Sequence, residues 1–258
     1  MTNGERIIVE ATDGARLSVQ LMGEGRPLLL LHGLFSNGQV NWLRYGAGPA
    51  LLAAGWRLIL PDFRGHGDSG ATGAARLPAD VLAADIEAVA TALGLGPELV
   101  VAGYSLGART TVRLLARKVL HPRAALLSGM GLEGIVGGAA RARFFIRVIE
   151  GRGGWQRGQP EFLAEAFMKA NVADPQAILP VLRAQVATSR EALEAIEVPV
   201  ALVCGAEDAD NGSAAALAAA LPRARLWEVP GTHMTAVTRR EFGAALVEAL
   251  DWAGAIAG

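Results

Sequence analysis

The stretch Leu99-Val100-Val101-Ala102-Gly103-Tyr104-Ser105-Leu106-Gly107-Ala108-Arg109-Thr110-Thr111 constrains this chain more than any other. It begins apolar and β-branched, as a strand does, and Val112, Leu114, Leu115 and Val119 continue it at helical spacing. A strand that turns into a helix around one serine lifts Ser105 clear of the sheet and pushes its backbone toward strained torsions. Gly103 and Gly107 are required by the same turn, because a Cβ at either place collides with the neighbouring strand or helix. The helix directs the positive end of its dipole at the serine oxygen. Glycine makes up 32 of 258 residues, so the spacing Gly-x-Ser-x-Gly has meaning only through the strand before it and the helix after it.

The segments around this turn alternate. Residues 6–11 and 16–22 read as strands joined by the turn Thr12-Asp13-Gly14-Ala15. Leu28–Leu31 and Arg57–Leu60, the latter ended by Pro61, are solid apolar runs of the kind a strand buried on both faces shows. Asn41–Ala54 has the spacing of a short helix, and Val81–Leu93 that of a longer one with Val81, Leu82, Ile86, Val89 and Leu93 on one stripe. Ala124–Leu127, Pro199–Val203 and Arg225–Val229 are further strands, and Arg239–Ala253 closes as a helix. Such alternation predicts a mainly parallel sheet with helices on both faces.

The alternation fails between Ser128 and about Val198. Five glycines (129, 131, 134, 137 and 138) open this stretch, and helical patterns follow near 139–150, 160–170 and 175–195 without strands. A helical cap inserted over one sheet edge accounts for the interruption, giving a core of 1–130 and 198–258 and a cap of 131–197. Phe144, Phe145, Trp155, Phe162, Phe167 and Met168 fall within it. Most of these are expected to pack the helices together. The rest are expected to line a pocket, for which Phe35, Tyr104, Phe144, Phe145, Trp155, Phe167 and Met168 are the candidates.

Composition excludes several classes. Hydrophobic residues are 52% and charged residues 19%, a globular balance, and the formal net charge of -1 without runs of either sign predicts no nucleic acid or anionic membrane partner. The single cysteine, Cys204, forbids an internal disulfide and fits a reducing compartment. Met1–Arg6 lacks a basic start followed by an apolar core, and no apolar run reaches the roughly 20 residues of a bilayer span, so a cytoplasmic protein is expected. No His/Cys/carboxylate cluster has metal-ligand spacing, so neither metal nor cofactor is expected.

Three more loops follow strands: Leu31-His32-Gly33-Leu34-Phe35-Ser36, Gly205-Ala206-Glu207-Asp208 and Pro230-Gly231-Thr232-His233. Parallel strands end on one sheet edge, so all three converge on Ser105. With Asp62-Phe63-Arg64-Gly65-His66-Gly67-Asp68-Ser69, these motifs and the order Ser, Asp, His give a chain that resembles the α/β-hydrolase superfamily over nearly its whole length, close to its small esterases and lactonases. The resemblance implies an eight-stranded, mostly parallel sheet flanked by helices with a helical cap. It also implies a small-molecule ester or lactone substrate, cleaved through an acyl-serine.

A serine hydroxyl needs a neighbouring base, for which His233 is the candidate, with Asp208 to fix its tautomer. Glu207, Asp210 and Glu133 are competing carboxylates. By resemblance and position, the backbone N–H groups of Leu34 and Leu106 form the oxyanion hole. His32 is expected to brace that loop, His66 and Arg64 to stabilise the loop after the fourth strand, His121 to cap a helix end, and Cys204 to be an inert core thiol. Arg141, Arg143, Arg147 and Arg152 could meet a substrate carboxylate but read first as a solvated helix face. Carbon–carbon bond hydrolysis and cofactor-free perhydrolase or haloperoxidase chemistry use the same three side chains and stay open, as does a ligand receptor on this fold. A serine in place of a carboxylate nucleophile argues against epoxide hydrolase or haloalkane dehalogenase chemistry.

Overall fold

Eight strands, β1 (Glu5–Glu10), β2 (Arg16–Met22), β3 (Arg26–Leu31), β4 (Trp56–Pro61), β5 (Val100–Tyr104), β6 (Ala124–Ser128), β7 (Val200–Gly205) and β8 (Ala224–Val229), form one sheet in the order β1-β2-β4-β3-β5-β6-β7-β8. The computed structural model describes residues 4–70 and 76–257, so Met1–Asn3 of the N-terminal stretch read above lie outside the described residues. β1 and β2 pair antiparallel, as do β2 and β4, and every later pairing is parallel. The β1–β2 turn is held by Asp13, whose carboxylate accepts the Ala15 N–H at 3.2 Å. Pro61 closes β4 within its antiparallel pairing, opposite Val19.

The solid apolar runs behave as their lack of alternation predicts. Leu28 and Leu30 point into one layer with Trp42, Leu51, Phe242 and Leu246, while Leu29 and Leu31 point into the other with Val81, Ile86 and Leu114. The first layer is built by α1 (Ala47–Ala53) and the C-terminal helix, the second by α2 (Val81–Ala92) and α3 (Leu106–Ala116). Further along that second face, α4 (Leu132–Val136) contributes Leu132 and Ile135 to a cluster with Val112, Leu127 and Leu202.

Three helices share a hydrophobic cluster of their own. These are α5 (Gly138–Glu150), α6 (Pro160–Asn171) and α7 (Leu179–Arg183), joined through Val148, Ile149, Met168, Ile178 and Leu182, and they enclose Phe35 of the β3 loop. The chain then returns to the sheet. Leu193 of α8 (Arg190–Glu194) and Leu217 of α9 (Ala214–Ala219) join the β6–β7 side, and α10 (Arg240–Ile256) packs behind β7 and β8.

Four local expectations are corrected. Asn41–Ala54 is not one helix: a π-helical turn at Gln39–Leu43 and α1 are separated at Gly46, which takes the left-handed conformation at φ 96°. The 175–195 pattern is broken into a 3-10 turn (Pro175–Ile178), α7 and α8, with no regular structure at 185–189. α3 stops at Ala116 rather than near Val119, where Lys118 turns to φ 54°. His121 therefore does not cap α3: it is exposed and lies beyond the C-cap residue Arg117.

Candidate active site

β5 delivers Ser105 into an unusual backbone state, φ 53° and ψ -107°, before α3 begins at Leu106. Side chains avoid that region, and the turn is held because its flanks admit no alternative. A Cβ on Gly103 would sit 2.2 Å from the Gly107 carbonyl carbon, and one on Gly107 would sit 2.1 Å from the Leu31 carbonyl oxygen. The Ser105 N–H is tied to the Ser128 carbonyl of β6 at 2.9 Å.

The loops after β7 and β8 bring two side chains to this serine. His233 Nε2 lies 3.1 Å from Ser105 Oγ, and His233 Nδ1 lies 2.9 Å from Asp208 Oδ2. With Asp208 an acceptor only, Nδ1 carries the hydrogen and Nε2 is free to accept from the serine hydroxyl. The Asp208 side chain is 3% exposed and the His233 side chain 9%, so their contact is largely shielded from water. Two of the three competing carboxylates are engaged elsewhere. Glu133 accepts the Ser213 N–H at 2.9 Å, Asp210 pairs with Arg141 at 2.9 Å, and Glu207 is exposed.

The β3 loop lies on the other side of Ser105. His32 is fully buried, accepts the Phe63 N–H on Nε2 at 2.9 Å and donates from Nδ1 to the Gly33 carbonyl at 2.7 Å. Burial pushes this imidazole down to about 4, so it stays neutral and its tautomer is fixed by the two bonds. The Gly33 N–H in turn donates to Asn41 Oδ1 at 2.8 Å. Among the described residues, the Leu34 N–H meets no acceptor, and the Leu106 N–H, at the head of α3, has no carbonyl within the helix to bond.

The pocket candidates separate into three groups. Tyr104 packs its ring 5.4 Å from that of His233, and its hydroxyl donates to the His233 carbonyl, so it holds the histidine loop. Phe35, Phe145 and Phe144 form a chain of edge-on contacts, 5.4 and 5.1 Å between centroids, joining the β3 loop to α5. Met168 is fully buried among the α5–α7 side chains, Phe167 packs half-buried beside it, and Trp155 donates to the Val148 carbonyl at 3.2 Å. Met168 and Phe167 pack helix against helix, while Trp155 ties the loop after α5 back to that helix.

Three supporting residues, Asn41, Asn211 and Thr235, carry no sequence signal. Asn41 sits in an apolar helical pattern, yet it fixes Gly33. Asn211 donates to the Gly129 carbonyl at 2.9 Å, and Thr235 Oγ1 accepts the Thr232 N–H at 2.8 Å, which closes the histidine turn. His66 is buried beside His32, with ring centroids 5.2 Å apart, and burial followed by the His32 charge pushes it down to about 3. Arg64 is bound by Asp85 and Asp13, and this ties the loop after β4 to α2. Cys204 is buried and its thiol is pushed up to about 11, which keeps it protonated. Among the described residues no group of three His, Cys, Asp or Glu side chains is placed to hold a metal, and no helix is long and apolar enough to cross a membrane.

Comparison with known proteins agrees with this architecture. A family model described as the alpha/beta hydrolase family matches residues 28–246. A non-heme haloperoxidase of Rhodococcus erythropolis is 36% identical over 111 residues, 42% of this chain and 38% of that protein, so the chain matches well under half of that relative's length. Among solved structures, a thermophilic esterase from Thermogutta terrifontis with malate bound superposes with a TM-score of 0.75 at 21% identity, covering 97% of this chain and 99% of that one. An enol-lactonase from Burkholderia xenovorans superposes with a TM-score of 0.72 at 22% identity, over 95% of this chain and 100% of the other.

Proposed function

We propose that this chain, which belongs to the alpha/beta hydrolase family, is a serine hydrolase that cleaves a carboxylic ester or lactone of a small molecule through an acyl-serine. The observation that carries the reading is the continuous line Asp208 Oδ2, His233, Ser105 Oγ, with steps of 2.9 and 3.1 Å. In the proposed cycle, Nε2 of His233 takes the hydroxyl proton as Ser105 Oγ bonds to the substrate carbonyl carbon. The carbonyl oxygen becomes an oxyanion that the N–H groups of Leu34 and Leu106 stabilise, and loss of one such donor typically costs about 3 kcal/mol. The C–O bond to the leaving alcohol then breaks as His233 returns the proton to it. Water, deprotonated by the same Nε2, repeats the attack on the acyl-serine and frees the acid.

The aromatic contacts between Phe35, Phe145 and Phe144 support a hydrophobic acyl site under α5–α7. We propose that the cap expected over 131–197 is carried by α5–α7, because α4 and α8 pack against the sheet, and expect the protein to work in the cytoplasm. The 36% identity to a haloperoxidase segment favours a second reading, in which hydrogen peroxide replaces water as acyl acceptor and a peracid leaves. A p-nitrophenyl ester series from acetate to decanoate, run on wild type and Ser105→Ala, tests the first reading. Turnover that vanishes in the variant is the expected result. Equal activity in both proteins, or none at any chain length, overturns it; peracid formation from acetate and hydrogen peroxide in place of ester turnover selects the second.

A further inference from the structure

Arg109 is a buried cation to which the serine chemistry gives no work. It lies four residues after Ser105 on the first turn of α3, and its N–H bonds the Ser105 carbonyl at 3.0 Å. The residue is 6% exposed. Nη1 has no hydrogen-bond partner, and the guanidinium takes part in no ion pair among the described residues. Arg64 shows what such burial ordinarily demands: two aspartates, Asp85 and Asp13, both oxygens of each engaged. Burial, followed by the charge of Arg141, draws Arg109 down to about 10, so it is still a cation at neutral pH.

Arg109 lines a cavity of about 20 Å³ together with Leu106, Thr110, Val181 of α7 and Gln185. Asp80 also faces the cavity but is already bound through both oxygens by Arg113, at 2.6 and 2.8 Å. The charge left over is positive. On the strength of the unpartnered Nη1, the cavity and the one-turn spacing from Ser105, we propose that Arg109 anchors a substrate carboxylate. The ester or lactone opened at Ser105 then carries a second, anionic group. This rests on the serine hydrolase reading. The present volume holds about one water, so on this proposal Gln185 and Val186, which line the cavity outside any helix or strand, move aside when a carboxylate enters.

The test compares 4-nitrophenyl hexanoate with mono-4-nitrophenyl adipate, acyl groups of equal length that differ by one carboxylate. It uses wild type, Arg109→Met and Arg109→Lys. The readout is the ratio of kcat/KM for the anionic over the neutral ester, in which general damage to folding or to the hydrolytic machinery cancels. Wild type is expected to favour the adipate ester, and Arg109→Met to lower the ratio at least about thirtyfold, as truncation of a buried charge pair does, with Arg109→Lys between them. A ratio unchanged in Arg109→Met, or a wild type that prefers hexanoate, overturns the proposal. If wild type cleaves neither ester, the hydrolase reading itself has failed. Calorimetric titration with adipate then decides on Arg109 alone: binding lost in Arg109→Met upholds the anion site, and no binding to wild type refutes it.

Discussion

Ser105 sits at φ 53° and ψ -107°, a backbone state that costs of the order of 1–3 kcal/mol for a residue with a side chain. The strain turns the hydroxyl toward His233, whose ring is fixed by Asp208 on one nitrogen and by the packing of Tyr104 on its face. On the proposed chemistry, Asp208→Asn keeps the shape of this contact but removes the charge that favours the imidazolium and lets the amide support the wrong tautomer. kcat on a p-nitrophenyl ester should fall about a thousandfold or more, with KM little changed. Loss of less than tenfold would mean that His233 is not oriented by Asp208. Ser105, Asp208 and His233 could be picked out of the sequence as candidates because each lies in the turn or loop that follows a strand. Arg109 could not: in the sequence it is one more arginine on a helix, and only burial without a partner sets it apart.

At the scale of elements, the parallel strands were legible because residues buried on both faces leave an unbroken apolar run, as in Leu28–Leu31. Short helices were not. α9 is Ala-Ala-Ala-Leu-Ala-Ala, with no polar face to mark a period, and is started by Ser213, whose Oγ accepts the Ala216 N–H at 3.1 Å. α1 and the turn before it share an apolar pattern that a left-handed Gly46 divides, and glycine spacing alone does not reveal its torsions. Close approach, by contrast, is a firm basis for prediction. Gly107→Ala would drive a methyl against the backbone oxygen of Leu31 and should lower stability by about 3 kcal/mol or more, read from urea unfolding. Gly94→Ala, at φ 60° with nothing within 4 Å, should cost only about 1 kcal/mol, the backbone effect alone. Equal effects of the two substitutions would show that the β3–α3 contact is loose.

For the whole molecule, acid should act through the two buried imidazoles behind the β3 loop. His32 and His66 are held by burial at about 4 and about 3 in the fold and return to about 6.5 when unfolded, so the unfolded chain binds more protons between those values. Their stabilising effect is complete above 6.5 and is lost as the pH falls toward 4, by about 2 kcal/mol per histidine between pH 7 and 5. Asp62, whose carboxyl burial pushes up, works in the opposite direction and offsets part of this loss. Urea midpoints at pH 7, 6 and 5 should therefore decline together with loss of the loop that carries Leu34, and a flat profile would mean that the pair titrates normally. The eight-stranded sheet, the turn at Ser105 and the two returning loops have one proposed consequence, a single activated serine. Its most direct test is reaction with a p-nitrophenyl phosphonate followed by peptide mass spectrometry. One equivalent of p-nitrophenol released, with the phosphonyl group on Ser105 and none on the Ser105→Ala protein, is the predicted result; no adduct, or an adduct on another residue, would contradict it.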